Sequence, residues 1–306
     1  MLSRVANNLY WMARYIERAE NTARLVNVNT HLLLDLPRHI RPGWEPIIDI
    51  TGSRPLFFAQ HQEADERSVV RFLVASSSNP GSLLSALYAA RENARTTRDF
   101  MPREVWEQVN QLYLFAKENA GLALVQRSRY DFLSGIIRGV QTITGMLAGS
   151  MMHDEGYDFL RMGRNLERAD MTTRIIDVRS VTLLPELHED LTPFENIQWM
   201  SVLKSLTAYQ MYRRTMQVRV RRPDVLRFLL QERCFPRSFY HAVSEAESCL
   251  RQLPRPAAPL GALHEVQDLV RAAKPDLLQQ DELHRFIDHL QLGLIRVNDA
   301  IAAAYF

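Results

Sequence analysis

Glutamate and arginine side chains recur three and four residues apart between residues 14 and 24. Glu20 and Arg24 stand at i,i+4, in the order that favours an ion pair on a helix, and Arg14 and Glu17 stand at i,i+3. At about 100° per residue, Glu17, Glu20 and Arg24 fall in one column at the border of an apolar stripe. They therefore face the packing side of the predicted helix, where charges must be paired because an unpaired buried charge is strongly destabilising.

Residues 162–178 repeat residues 12–28 after a shift of 150. The two segments, MGRNLERADMTTRIIDV and MARYIERAENTARLVNV, are identical at eight positions, and Asp170 takes the place of Glu20. Arg164 and Glu167 repeat the i,i+3 spacing of the first segment. Order and spacing are both kept, which indicates a common origin for the two segments.

A second match lies at a shift of 156, where VVRFL at 69–73 aligns with VLRFL at 225–229. A Pro-x-Ser triplet follows each of these segments, at 80–82 and 236–238. Both shifts are close to 153, which is half of the 306 residues. The sequence therefore predicts a tandem duplication, with an N-terminal repeat at 1–153 and a C-terminal repeat at 154–306. We expect the two repeats to pack about a pseudo-twofold axis as one compact body.

Apolar residues recur in alternating four- and three-residue steps from Ser3 to about Asp35, which predicts one long helix. Similar periodicity predicts helices through the rest of both halves, including one over 195–221. No alternation with period two indicates a strand. The sequence therefore predicts an all-α fold, a helical bundle made of two tandem repeats of about 150 residues.

If the two matching helices meet at the axis, their charged columns converge. The candidate catalytic residues are then Glu17, Glu20, Glu167 and Asp170. The candidate substrate- or anion-binding residues are Arg14, Arg18, Arg24, Arg164, Arg168 and Arg174. Three uses fit this pattern: an ion network that fixes helix register, an arginine-lined site for a carboxylate or phosphate, or a carboxylate site for acid–base or metal chemistry.

The spacing of histidines tests the metal alternative. Di-iron helical bundles need Glu-x-x-His pairs, and none of the nine histidines stands in one; Asp281-x-x-His284 comes nearest. A ferritin-like di-iron oxidase is therefore disfavoured, and we assign no metal and no cofactor. A magnesium or manganese site built from the four carboxylates alone remains an alternative, because hard cations prefer oxygen ligands.

Composition excludes several classes of protein. Lys+Arg is 37 against 35 for Asp+Glu, and a net charge of +2 argues against nucleic-acid binding by bulk electrostatics. The chain has no apolar stretch long enough to cross a membrane and no Walker A or G-x-G-x-x-G loop. Two cysteines without metal or disulfide spacing, and a start unlike a secretory signal, favour a cytoplasmic location.

The two Glu-Arg segments resemble the paired motifs of the bacterial alpha-E domain family. The resemblance rests on RYIERAEN at 14–21 and NLERAD at 165–170, together with NPGSL at 79–83 and ARENAR at 90–95. It runs through essentially the whole chain and in order. It implies an all-helical fold and places the family's recurring acidic and basic residues on the ten candidates named above.

The resemblance also implies a functional setting. Members of the family are typically encoded beside, or fused to, a circularly permuted ATP-grasp protein, with a transglutaminase-like cysteine peptidase often nearby. We therefore expect a component of a peptide-forming or peptide-modifying system, acting as a partner, scaffold or substrate-presenting protein. The alternative is an enzyme in which arginines clamp an anion and a carboxylate acts as base on a peptide, amino acid or acyl phosphate. Whether the protein is an enzyme stays open, and a homo-oligomer is compatible with the sequence.

Overall fold

The computed structural model describes residues 1–36, 43–182, 192–216 and 219–306, and the regular elements in these ranges are all helical. The predicted all-α class is confirmed. The fourteen α-helices in the described ranges are α1 (Ser3–Asp35), α2 (Glu45–Ile50), α3 (Arg54–Phe58), α4 (Glu66–Val74), α5 (Leu83–Thr96), α6 (Arg103–Asn119), α7 (Gln126–Ser150), α8 (Glu155–Thr182), α9 (Thr192–Ser205), α10 (Tyr209–Met216), α11 (Arg222–Gln231), α12 (Phe239–Leu250), α13 (Ala257–Ala272) and α14 (Gln280–Tyr305).

Helices α1 and α8 pack against each other and carry the two Glu-Arg segments. The apolar stripe predicted from the sequence is buried along α1, with Leu9, Met12 and Ile16 among its members. The two helices approach closely at Gly163, where an added Cβ would lie 2.3 Å from the carbonyl oxygen of Tyr10. Only glycine fits at that distance, so this contact fixes how α8 crosses α1.

The remaining helices surround this central pair. Helix α5 lies along α1 and α12 lies along α8, while α7 and α9 pack on further faces of α1. Each of the two flanking helices begins directly after the serine of its Pro-x-Ser triplet, and that serine is its N-cap. The side chain of Ser82 accepts a hydrogen bond from Ser85 N, and that of Ser238 accepts one from His241 N. These serine caps satisfy backbone donors that a helix N-terminus leaves open.

The helix predicted over 195–221 is wrong as a single element, because α9 ends at Ser205 and α10 begins at Tyr209. Thr207 stands between them with φ of +56°. Its N–H donates to the carbonyl of Lys204, and the N–H of Ala208 donates to the carbonyl of Leu203. This hydrogen-bonded turn ends α9, although glycine usually occupies the left-handed position. The sequence carries no glycine there to signal the break.

Buried apolar side chains from both halves of the chain form a single core cluster in the described ranges. It includes residues of α1, α5 and α7 as well as residues of α8, α12 and α14. Across the parts of the chain that the structure describes, none of the helices combines the length and apolar composition of a membrane span.

Candidate functional site

Two glutamates of α1 form an ion cluster with arginines from three places in the chain. Glu17 is buried, and its Oε2 lies 3.1 Å from Arg168 Nε while its Oε1 lies 2.6 Å from Arg237 Nη1. Glu20 is also buried and accepts hydrogen bonds from Arg24 Nε at 2.8 Å, Arg24 Nη2 at 2.6 Å and Arg237 Nη2 at 2.9 Å. Arg237 thus bridges the two glutamates. We call these five residues the α1 cluster.

Glu167 and Asp170 of α8 form a second group with Arg14, Arg18 and Arg174, and we call these five residues the α8 cluster. Glu167 is buried and accepts from Arg14 Nε at 2.8 Å, Arg18 Nε at 2.6 Å and Arg18 Nη2 at 3.0 Å. Asp170 accepts from Arg174 Nε at 2.8 Å within the same helix and is more exposed. The four candidate carboxylates are therefore divided between two clusters, with guanidinium groups around each pair.

The two Glu-Arg dipeptides exchange partners across the α1–α8 contact. Glu17 pairs with Arg168, and Arg18 pairs with Glu167. Arg14 likewise donates to Glu167 on the other helix rather than to Glu17 at i,i+3. The pairing expected between Arg14 and Glu17 within α1 is therefore wrong. The pairs expected at i,i+4, Glu20–Arg24 and Asp170–Arg174, are confirmed.

The charge pairing decides the protonation of the two central glutamates. Burial acts to raise the pKa of Glu17, but Arg168 and Arg237 outweigh it and hold that pKa below its usual range. Burial acts in the same way on Glu167, where Arg18 and Arg14 again lower the pKa. Both side chains are therefore ionised at neutral pH, and both are weak proton acceptors because a low pKa disfavours taking a proton.

A pocket of about 270 Å³ opens beside the α1 cluster, and we call it the arginine pocket. It lies among α1, α7, α8, the turn after α9 and the segment before α12. Its walls are formed by Glu20, Arg24, Gln141, Thr144, Arg168, Leu206, Thr207, Phe235, Pro236 and Arg237. Three arginines and one glutamate thus face a cavity that a small ligand can enter.

Positive charge exceeds negative charge at this pocket. The α1 cluster holds three guanidinium groups against two carboxylates, an excess of one positive charge. In the described ranges, no hydrogen bond from the terminal nitrogens of Arg168 is seen, and the closest approach of Arg168 to Glu17 is through Nε, at 3.1 Å. Such donors match the oxygens of a carboxylate or phosphate, which a guanidinium group binds with two parallel hydrogen bonds.

Arg164 adds a further cation beside the pocket. It lines a small neighbouring cavity with Glu17 and Thr144, and Thr144 also lines the arginine pocket. Burial, assisted by the charge of Arg168, lowers the pKa of Arg164 against the opposing effect of Glu17. Its Nε is buried and makes no hydrogen bond to any described residue. The candidate Arg164 therefore contributes positive charge that the surrounding carboxylates offset only in part.

Sequence reasoning missed Arg237, which lies directly before the N-cap of α12 and joins the α1 cluster to α8. Its carbonyl accepts a hydrogen bond from Thr172 Oγ1 at 2.9 Å, and its Nη1 donates to Asn21 Oδ1 at 2.9 Å. Arg237 is the middle residue of the second Pro-x-Ser triplet, where the first triplet has Gly81. That change from glycine to arginine was the signal available in the sequence.

A different group of side chains has the spacing of metal ligands. Among the described residues, ligand atoms of Asp177, His284 and Asp288 lie within 4.8 Å of one another. His284 Nδ1 is 2.7 Å from Asp177 Oδ1, a hydrogen-bonding distance, and its Nε2 is 3.7 Å from Asp288 Oδ2. The four candidate carboxylates do not belong to this group and are held by arginines, which leaves the hard-cation alternative without support from the geometry.

Three curated relatives come from mycobacteria. They are uncharacterised proteins of Mycobacterium bovis and of two Mycobacterium tuberculosis strains, each 23% identical over 299 residues. The match covers 90% of this chain and 33% of each relative, so the chain spans about a third of the length of these proteins. No solved structure matches the chain.

A family model described as a predicted alpha-helical domain with a conserved ER motif matches residues 1–306. The Glu-Arg dipeptides at 17–18 and 167–168 are the two that exchange partners between α1 and α8. The chain belongs to the Alpha-E family.

Proposed function

We propose that this chain is the alpha-E component of an ATP-grasp-linked system that forms or modifies peptides, and that it presents a substrate by holding an anionic group. The observation that carries the proposal is the arginine pocket, with Arg24, Arg168 and Arg237 in its walls and with no hydrogen bond seen from the terminal nitrogens of Arg168 to the described residues. The resemblance to the alpha-E family supplies the setting. The matched relatives are about three times longer than the matched region, so in those proteins this region is part of a longer chain.

Substrate presentation is favoured over catalysis because the central carboxylates are poor bases. Glu17 and Glu167 are buried, paired with arginines and held at low pKa. A general base works best when its pKa lies near the pH of the reaction. Pairing of this kind suits a framework that orients arginines, since each glutamate fixes two guanidinium groups in place.

The second candidate function is an enzyme in which Glu20 is the base and Arg24 and Arg168 clamp the anion of a peptide, amino acid or acyl phosphate. One observation favours it: Glu20 lines the pocket, unlike Glu17 and Glu167. The two functions differ in the effect of Glu20→Gln on the activity of the reconstituted ATP-grasp system. An enzyme loses turnover at saturating substrate, whereas a presenting protein changes only the substrate concentration that is needed.

We also propose that the chain arose by tandem duplication, with repeats 1–153 and 154–306 related by a pseudo-twofold axis. Three pairs of equivalent features support this. The two Glu-Arg dipeptides exchange partners, α5 lies on α1 as α12 lies on α8, and Ser82 and Ser238 cap those flanking helices. In this view the α8 cluster fixes the register of the two repeats, while the α1 cluster gained Arg237 and the pocket.

The partner proposed for the chain is a circularly permuted ATP-grasp protein, with a transglutaminase-like peptidase as a further member of the system, working in the cytoplasm. Capture of the tagged protein from its own cells tests this directly. We expect the ATP-grasp protein to be recovered in near-stoichiometric amount. Its absence after mild crosslinking contradicts the proposed partnership.

Anion binding is tested with two simple probes, pyrophosphate and glutarate, titrated calorimetrically at low ionic strength. Arg168→Gln removes the free donors and lowers affinity for both probes by about tenfold or more, the range typical for a hydrogen bond to a charged group. Arg174→Gln is the matched control, since Arg174 also belongs to a Glu-Arg segment but does not line the pocket. Equal losses in both variants, or no binding to the wild-type protein, contradict the proposed site.

A further inference from the structure

The two oxygens of Glu20 are used differently. All three hydrogen bonds that the structure shows for this carboxylate, from Arg24 and Arg237, end on Oε1. Oε2 receives none of them, and Glu20 is a wall residue of the arginine pocket. The guanidinium groups therefore hold the carboxylate in a fixed orientation and leave one oxygen able to accept a hydrogen bond from a bound molecule.

A carboxylate in this position works against the binding of a simple anion. Like charges repel, and the repulsion strengthens where the protein excludes water. Glu17 orients Arg237 and Arg168 without lining the pocket, whereas Glu20, which orients Arg24, places a negative charge in the wall where a plain phosphate or carboxylate would bind. The arrangement becomes favourable when the ligand itself carries a donor that reaches Oε2.

Resting on the anion site proposed above, we propose that the ligand of the arginine pocket is zwitterionic: its anionic group binds Arg168 and Arg24, and its ammonium group donates to Glu20 Oε2. This chemistry is that of an α-amino acid or of an amino-acid end of a peptide, which carries both charges within a few bonds. A pocket of about 270 Å³ has room for a ligand of that size. The net positive charge of the cluster favours a ligand whose own net charge is negative or zero.

Two ligands with the same carbon skeleton test the contact between the ammonium group and Glu20. Glutarate and L-glutamate differ by one ammonium group, so a comparison of their affinities isolates the contact with Glu20. The wild-type protein is expected to bind L-glutamate about tenfold more tightly than glutarate, because a hydrogen bond between charged groups carries about that factor. Both ligands share the anionic group that the arginines recognise.

Glu20→Gln gives opposite results for the two ligands. The substitution keeps the size of the side chain and removes its negative charge. The affinity for L-glutamate falls about tenfold because its ammonium group loses an ionic partner, while the affinity for glutarate is unchanged or rises because repulsion is relieved. Asp170→Asn is the matched control, since Asp170 occupies the equivalent position in the second segment and lies outside the pocket; it alters neither affinity.

The outcomes distinguish this inference from the anion site on which it rests. If the wild-type protein binds neither pyrophosphate nor either organic acid, the anion site itself is refuted. If it binds pyrophosphate and glutarate but shows no preference for L-glutamate, or if Glu20→Gln weakens both organic acids alike, the zwitterion proposal is refuted and the anion site stands. A melting temperature within a few degrees of the wild type shows that each variant remains folded.

Discussion

Replacement of Glu167 by glutamine tests the claim that the ion pairs between α1 and α8 hold the two helices together. Glu167 is buried and accepts three hydrogen bonds from Arg14 and Arg18. Glutamine keeps the shape of the side chain but removes the charge that balances two guanidinium groups. It also replaces one accepting oxygen by an NH₂ group, which then faces the N–H donors of Arg14 and Arg18.

The magnitude follows from burial. Removing one partner of a buried ion pair costs about 3–5 kcal/mol, because the remaining charge is left without a partner. The side chains of Arg14 and Arg18 are 12% and 27% exposed, so water solvates part of the orphaned charge and the loss lies at the lower end, about 3 kcal/mol. For 306 residues the entropy of unfolding is about 0.6 kcal/mol per degree, which makes the expected fall in melting temperature about 5 °C.

Scanning calorimetry at neutral pH measures this effect, with Asp170→Asn as the control on the same helix. Asp170 and Arg174 are 21% and 34% exposed and pair within one helix, and an i,i+4 helix pair contributes only about 0.3–0.5 kcal/mol. The control therefore lowers the melting temperature by less than about 1 °C. Equal melting temperatures for the two variants refute the argument that burial of the exchanged pairs stabilises the fold.

The remaining predictions concern pH and backbone strain. Because the folded-state pKa of Glu167 is lowered, this carboxylate stabilises the fold above the usual glutamate pKa, and the stabilisation is lost as pH falls. The difference in melting temperature between the wild type and Glu167→Gln should therefore narrow on acidification. A difference that stays constant with pH argues against the pairing of Glu167 with the arginines. The hydrogen bond and charge of Asp177 raise the pKa of His284, so the charged imidazole stabilises the fold below its usual pKa and this contribution is lost as pH rises through the raised folded value. His284→Gln should therefore lower the melting temperature more at about pH 5.5 than at about pH 9, and an equal effect at both pH values argues against the charged pair. Thr207→Gly removes the cost of a left-handed backbone conformation, about 1 kcal/mol, and should therefore raise the melting temperature by about 1–2 °C. A lower melting temperature shows instead that the Thr207 side chain stabilises the turn.

Helix periodicity and charge spacing predicted much of this molecule, because both are local properties of the sequence. The long helix α1, the buried position of Glu17 and the i,i+4 pairs at Glu20 and Asp170 all follow from residues within a turn or two of one another. The arginine partners of Glu17 and Glu167 could not be predicted from neighbouring residues, because the exchanged pairs join facing helices and depend on where α8 crosses α1.

The elements that shape the pocket were the least visible in the sequence. Arg237 belongs to a short segment before α12 and reaches the glutamates only through the packing of α12 on α8. The turn at Thr207 uses a conformation for which the sequence offers no glycine. Because both features depend on tertiary contacts rather than local preference, the sequence placed the charges but did not indicate which of them face a cavity.

The location of a bound oxyanion tests the central claim most directly. Crystals soaked in selenate, whose selenium scatters anomalously, show where a tetrahedral anion binds. The proposed site predicts an anomalous peak in the arginine pocket, with selenate oxygens within hydrogen-bonding distance of the terminal nitrogens of Arg168 and of Arg24, and no such peak in crystals of Arg168→Gln. A pocket that holds only water in the wild-type protein at saturating selenate, while anions bind elsewhere, contradicts it.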